Sequence, residues 1–221
     1  MFIGHFAVAF AAKKAAPKSS LATLFIAAQF VDMLWPVFLL LGLEHVRIDP
    51  GNTVVTPMDF YDYPISHSLL GAVGWSALFG AFYYFRRKLS REAVVVALVV
   101  FSHWVLDFIS HRPDLPLATN DSMMFGLGLW NSFWGTFIVE FSLFFAGAYL
   151  YYSATKPKNK VGTYSLAFLL LFLCFIHLAN LFGPPPPSVE MVALAGNLGW
   201  LFVLIPWWVE KNRTTSVELN A

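Results

Sequence analysis

The chain has 221 residues, 58% of them hydrophobic and only 12% charged, with a formal net charge of +1. Soluble domains carry about 25% charged residues, so the composition argues against a soluble fold, and the near-neutral balance gives no footing for nucleic acid. Cys174 is the one cysteine, which rules out an intrachain disulfide and thiolate-rich metal sites.

In chain order, Phe2–Ala12 is apolar but too short to span a membrane. Lys13, Lys14 and Lys18 follow it instead of preceding it, the wrong order for a cleaved signal peptide. It reads as a short helix, within residues 1–16, that dips partway into the membrane or packs under the bundle before Pro17 breaks it. About 20 apolar residues carry a helix across the hydrocarbon core. Leu21–Leu43, Ser66–Phe85, Ala93–Ser110, Ser132–Tyr152, Tyr164–Phe182 and Val189–Val209 meet that requirement, the last ending in the interfacial pair Trp207 and Trp208. The expected fold class is all-α: a polytopic transmembrane helical bundle of about six spanning helices plus the short membrane-inserted helix, forming one domain over residues 1–221.

The connecting segments alternate in charge. Lys13, Lys14 and Lys18 precede the first span, and Arg86, Arg87, Lys88 and Arg91 join the second to the third. Lys156, Lys158 and Lys160 join the fourth to the fifth, and Lys211 and Arg213 follow the last. Glu44–Ile65 and His111–Asn131 are long, rich in Asp, Asn and Pro, and nearly free of Lys and Arg. The positive-inside rule then puts both termini in the cytoplasm and these two loops outside a membrane of the bacterial inner type.

Ionisable groups at membrane depth are costly and are functional-site candidates by default. Asp32 lies in the first span, His67 opens the second, Glu140 sits in the fourth, His177 in the fifth and His5 in the short helix. The third carries His103, Asp107 and His111 at four-residue intervals, hence on one helical face. Imidazole nitrogen and carboxylate oxygen together suit zinc, manganese or iron. At ~1.5 Å rise per residue, His103 lies about 12 Å from the outer end of its span, Glu140 about 13 Å and Asp32 roughly 15 Å. His67 and His111 lie near the outer ends, and His5, climbing from the cytoplasmic lysines, reaches a similar level. The groups therefore converge in the outer half of the membrane.

Simpler readings exist for each residue alone. His67 or His111 suits the headgroup region, Asp32 a helix-packing hydrogen bond, and Glu140 a proton carrier. His177, without a partner on its own helix, reads as structural, and His45 as a solvated loop residue.

The order of motifs resembles the YdjM-like family of inner-membrane putative metal-dependent hydrolases. Gly4-His5 is followed by Asp32, then by Ser66-His67-Ser68-Leu69-Leu70-Gly71 opening a helix, then by Ser102-His103-Trp-Val-Leu-Asp107. The likeness covers about the first 115 residues. It implies a metal-dependent hydrolase with His5, Asp32, His67, His103 and Asp107 at matching positions. The His-x-x-x-Asp element is also similar to that of zinc-dependent phospholipase C, but the downstream His-x-x-x-Glu of that family is missing.

The expectation is thus a membrane-embedded hydrolase acting on a lipid or lipid-linked ester or phosphoester. Its cofactor would be one or two divalent ions, zinc before manganese, and its candidate ligands are His5, Asp32, His67, His103, Asp107 and His111. Glu140 is the candidate general base or orienting group, and Ser66, Ser102 and Ser110 are candidate hydrogen-bond partners for the neighbouring histidines. The alternative is a metal or proton transporter using the same groups, which the apolar inner halves of the spans, such as Ala93–Val100, disfavour. A bis-histidine haem protein would leave Asp32 and Asp107 unexplained.

Overall fold

The computed structural model describes residues 1–215. The first helix, α1 (Ile3–Ala15), is where expectation and structure differ most. It does not pack under the bundle; nine of its thirteen residues are buried, and it packs against α2 (Leu21–Leu40), α5 (Ser90–Ser110) and α6 (Phe133–Ala154) at the centre of the fold. Around it, Phe6, Phe10, Phe25, Phe144, Leu169 and Leu173 form the main core. A helix of about 20 Å can occupy the centre of a membrane-sized bundle because its neighbours carry the length.

Close approach makes this possible. A Cβ on Gly147 of α6 would meet the Ala7 carbonyl oxygen at 2.2 Å, so only glycine lets the two backbones approach this way. Gly147→Val is therefore expected to push α1 away from α6 and destabilise the fold by about 1–3 kcal/mol or more. A lowered thermal midpoint of the detergent-purified protein would register it, and an unchanged midpoint would show that the helices do not pack this closely.

Several of the longer helices start where short polar side chains satisfy free backbone amides. Ser20 accepts from Thr23 at the start of α2, and Ser132 from Gly135 at the start of α6. Asn159 accepts from Gly162 at the start of α7 (Lys160–Phe182). Pro36 sits inside α2. Lacking an N–H, it leaves the backbone carbonyl of Asp32 without its helical donor.

The expected second span divides at Ser68 into α3 (Pro64–His67) and α4 (Leu69–Arg87), with Ser68 capping α4 through Gly71. Helix α4 forms a hairpin with α5, turned by Lys88 in the left-handed conformation at φ 56°. The final segment runs through α8 (Val189–Asn197), a 3-10 stretch (Leu198–Val203) and α9 (Leu204–Lys211).

Among the described residues, five segments are long and apolar enough to cross a membrane: Leu21–Leu40, Ser90–Ser110, Phe133–Ala154, Lys160–Phe182 and Val189–Lys211. Helix α4, with three glycines and Arg86 and Arg87 at its end, is less apolar than these. Leu98, Phe145, Leu171 and Phe175 are at least half exposed on the outer faces of the bundle, as lipid contact requires and as a water-soluble surface of this extent would not tolerate. The chain is a helical membrane protein.

Short strands supplement the helices. An antiparallel pair, β1 (His45–Ile48) and β2 (Met58–Asp62), and a second, β3 (Leu115–Pro116) and β4 (Met124–Phe125), occupy the two segments expected as plain loops. Trp35, Val46, Phe60, Tyr63 and Leu115 form a second apolar cluster with Trp104, Phe108 and Trp130 beneath them. This cap covers one end of the bundle. At the other end β5 (Thr155–Pro157) pairs with β6 (Arg213–Thr215).

Candidate metal centre

The residues expected to converge do so beneath the cap. Asp107 is the hub, 2% exposed on α5, and each of its oxygens faces a different group of partners. Oδ2 lies 3.1 Å from His103 Nε2 and 3.8 Å from His67 Nε2. Oδ1 lies 3.2 Å from His5 Nε2, 4.0 Å from His111 Nε2 and 2.5 Å from the amino group of Met1. Asp32 completes the first group, its Oδ1 3.3 Å from His67 Nε2 and 3.5 Å from His103 Nε2. The Asp32 side chain is 39% exposed, against 6% or less for His67, His103 and Asp107, so the cluster opens at Asp32.

The hydrogen bonds on the far sides of the rings fix the tautomers. His103 Nδ1 is 2.7 Å from the Ala28 carbonyl oxygen. A carbonyl only accepts, so Nδ1 carries the hydrogen. Ser66 donates its hydroxyl hydrogen to Glu44 Oε2 at 2.6 Å, which leaves Ser66 Oγ to accept from His67 Nδ1, also at 2.6 Å. The Ser66 amide donates to Glu44 Oε1 at 2.7 Å, locking this carboxylate and serine together. His111 Nδ1 donates to Asp114 Oδ1 at 2.9 Å. The phenol of Tyr63 donates to the same oxygen at 3.1 Å; burial holds its pKa well above the usual phenol value, so it stays protonated.

In each neutral ring the unprotonated Nε2 therefore points at carboxylate oxygens. Lone pairs facing lone pairs in a buried site repel unless a cation or a proton lies between them. No hydrogen bond of good geometry reaches His103 Nε2, or either nitrogen of His5, among the described residues. Behind both His67 and His103 a hydrogen-bonded acceptor holds Nδ1 and turns Nε2 towards the carboxylates, which is the arrangement that orients metal-ligating imidazoles.

Among the described residues, two overlapping groups have the reach to hold a metal ion: Asp32, His67 and His103, and His5, His103 and Asp107. Asp107 Oδ2 also lies within 3.8 Å of both histidines of the first group, though Asp107 and Asp32 fall in different groups. Bonds of 2.0–2.1 Å to a tetrahedral ion put neighbouring ligand atoms about 3.3–3.4 Å apart. The four histidine-to-carboxylate separations are 3.1, 3.3, 3.5 and 3.8 Å. The donor set and its spacing thus fit a divalent ion.

His5 and His103 stack with ring centroids 3.6 Å apart and planes 2° from parallel. Two imidazolium ions would not tolerate that contact, so at least one ring is neutral. His5 owes its position to Glu140. That carboxylate, 1% exposed, accepts from the Phe2 amide at 2.8 Å and the Gly4 amide at 3.2 Å, satisfying the free donors at the start of α1 where negative charge is favoured. Glu140 belongs to neither metal-holding group.

The other candidates separate. Ser66 is a true partner of His67, whereas Ser102 donates to the Val99 carbonyl and does not touch His103. Ser110 lies 3.0 Å from the Met1 amino group. His177 is buried between Phe2 and Phe141, with neither ring nitrogen hydrogen-bonded among the described residues. His45 is half exposed and pairs with Asp62. Glu44, Tyr63, Asp114 and the Ala28 carbonyl were not foreseen. Only Asp114, three residues past His111 in His-Arg-Pro-Asp, left a sequence signal.

Ser66→Ala is expected to weaken divalent-ion affinity about 10–100-fold, the usual effect of losing a ligand-orienting partner. Chelator competition measures it, and an unaltered affinity would separate Glu44 and Ser66 from the site.

No family model, curated protein or solved structure matches this chain.

Proposed function

We propose that this protein is a membrane-embedded, metal-dependent hydrolase whose principal ion, zinc by the donor set, is held by Asp32, His67, His103 and Asp107. The observation that carries the reading is the pair of Nε2 atoms lying 3.1–3.8 Å from carboxylate oxygens of Asp32 and Asp107, with both Nδ1–H groups already committed elsewhere. The motif order shared with YdjM-like proteins supports the same reading. A divalent ion there would act as a Lewis acid and lower the pKa of a water.

The chain's own groups supply the rest. His67 and His103 each have Nδ1 committed to an acceptor, which aims Nε2 at the carboxylates. Asp32, at the open side of the cluster, is the side chain nearest an incoming substrate. His111 Nε2 stands 4.0 Å from Asp107 Oδ1, and its Nδ1 is hydrogen-bonded to Asp114, which pairs with Arg112 towards the cap. The apolar cap and the phenylalanine core keep bulk water from the other sides.

By the positive-inside rule the four basic clusters support cytoplasmic termini in an inner-type membrane, with the cap outside and α4 as a sixth crossing. The cluster then lies in the outer half of the bilayer. The substrate class that reaches such a site is a lipid or a lipid-linked ester or phosphoester. A transporter would need polar groups continuing to the other face, and the core below the cluster is instead packed with Phe6, Phe10, Phe25 and Phe144.

The test is hydrolysis of short-chain phospholipid and isoprenyl phosphate substrates by detergent-purified protein, zinc-loaded and zinc-free. The expected result is zinc-dependent release of product, absent in His103→Ala. Zinc bound with no turnover on either class would remove the hydrolase reading and leave a metal-binding protein.

A further inference from the structure

The end of the bundle opposite the His/Asp cluster holds a second built feature that the proposed hydrolase does not use. A cavity of about 270 Å³ opens there, smaller than pockets for drug-sized ligands, which start at about 300 Å³. Five cations from separate parts of the chain line it: Lys13 at the end of α1, Lys18 in the following turn, Arg87 at the end of α4, Lys158 after β5 and Arg213 in β6. Among the described residues, one acid, Glu210, also lines it.

That acid is already engaged. Its Oε1 takes Lys13 Nζ at 2.5 Å, and its Oε2 accepts from the Leu21 amide at 2.6 Å. Arg213 is 3% exposed, yet its guanidinium meets no carboxylate among the described residues. It donates to Thr155 Oγ1, to the Thr155 carbonyl and to the Gly162 carbonyl. A guanidinium buried against neutral acceptors keeps its full charge, and such a charge is costly without a counter-ion. Beside it the Tyr151 hydroxyl is buried and lacks a well-formed hydrogen bond among the described residues, leaving a donor at the cavity wall. Lys18 and Arg87, exposed at the rim, make no ion pair among the described residues. The positive-inside rule accounts for basic residues on one side of a membrane; it does not gather five of them around one concavity with the local acid neutralised.

The geometry points to a phosphate-binding site in this cavity, filled by the headgroup of an anionic phospholipid or by free phosphate. Basic pockets between membrane helices recognise headgroups in this way, and the Lys211 ammonium stacked 3.7 Å over Trp207 marks the same end as interfacial.

The experiment uses the full chain in detergent, stripped with a chelator so that phosphate cannot report on the His/Asp cluster. Retention of phosphatidylglycerol against phosphatidylcholine is read by native mass spectrometry, and inorganic phosphate by thermal shift. Arg213→Gln risks unfolding because the guanidinium ties β5 and β6 to α7, so the rim variant Lys18→Gln/Arg87→Gln carries the test. Lys156→Gln/Lys160→Gln serves as a control with the same loss of charge away from the cavity. The expected result is selective retention by wild type, weakened about tenfold or more in the rim variant, as two charges near an anionic headgroup warrant, and barely changed in the control. Selective retention of phosphatidylglycerol identifies the headgroup as the source, and a shift with inorganic phosphate alone identifies the free ion. Wild type binding neither, or equal weakening in rim and control variants, overturns the site.

Discussion

Asp107→Ala is expected to lower divalent-ion affinity about a thousandfold or more and to abolish metal-dependent turnover. Asp107 is the one residue whose two oxygens serve both halves of the cluster, Oδ2 towards His67 and His103, Oδ1 towards His5 and His111. Removing one member of a buried charged group costs about 3–5 kcal/mol, which is the thousandfold just given. Asp107→Asn keeps one carbonyl oxygen and loses the charge, so its affinity falls between wild type and Asp107→Ala. Competition with a chromophoric chelator reads both. A variant that binds zinc as tightly as wild type would remove Asp107 from the ligand set and with it the geometric argument.

The second large effect is at Glu140, and here two roles make opposite predictions. As the acceptor for the Phe2 and Gly4 amides, Glu140 holds the start of α1 in the core. Glu140→Leu leaves both amides unsatisfied, at about 1–3 kcal/mol each, and should lower the thermal midpoint sharply. It should also loosen His5, whose ring rides on that turn. Glu140→Gln keeps an amide oxygen for the same donors and should recover most of the stability. A general base behaves differently: Glu140→Gln would then abolish turnover in a protein of nearly normal stability. Stability restored together with activity in Glu140→Gln assigns the residue to positioning; stability restored without activity returns it to the chemistry.

The cluster was legible in the sequence to the extent that helical spacing and depth could carry it. His103 and Asp107 share a face by their i, i+4 spacing, and Asp32 and His67 arrive at the same level by counting along apolar segments. His5 is harder. Its depth matched, but α1 reaches the centre only because Gly147 lets its backbone approach Ala7, and that is a contact between segments with no periodic trace. The same reason hid Glu44, which meets Ser66 across a turn 22 residues later. Ser102 shows the converse. Its position next to His103 suggested a partner, yet neighbours in a helix point to different faces, and its hydroxyl returns to its own backbone.

The cap was missed because strands of two to five residues in Asp- and Pro-rich segments carry too little alternation to stand out. Its consequence is physical. Trp130 lies 4.2 Å from the His111 ring and Phe60 5.1 Å from it, so the histidine expected at a wet span end is enclosed and oriented by Asp114. Helix α4 departs in the other direction. It forms as a helix, but its glycines and terminal arginines make it the least apolar of the long segments, and its partner is α5.

The most direct test of the central claim is X-ray absorption at the zinc edge on wild-type protein purified without chelators and loaded with one equivalent of zinc. The account predicts four nitrogen and oxygen neighbours at about 2.0–2.1 Å, with the outer-shell scattering of two imidazoles, from His67 and His103. A first shell of water oxygens without imidazole, or a protein that retains no zinc, would contradict it.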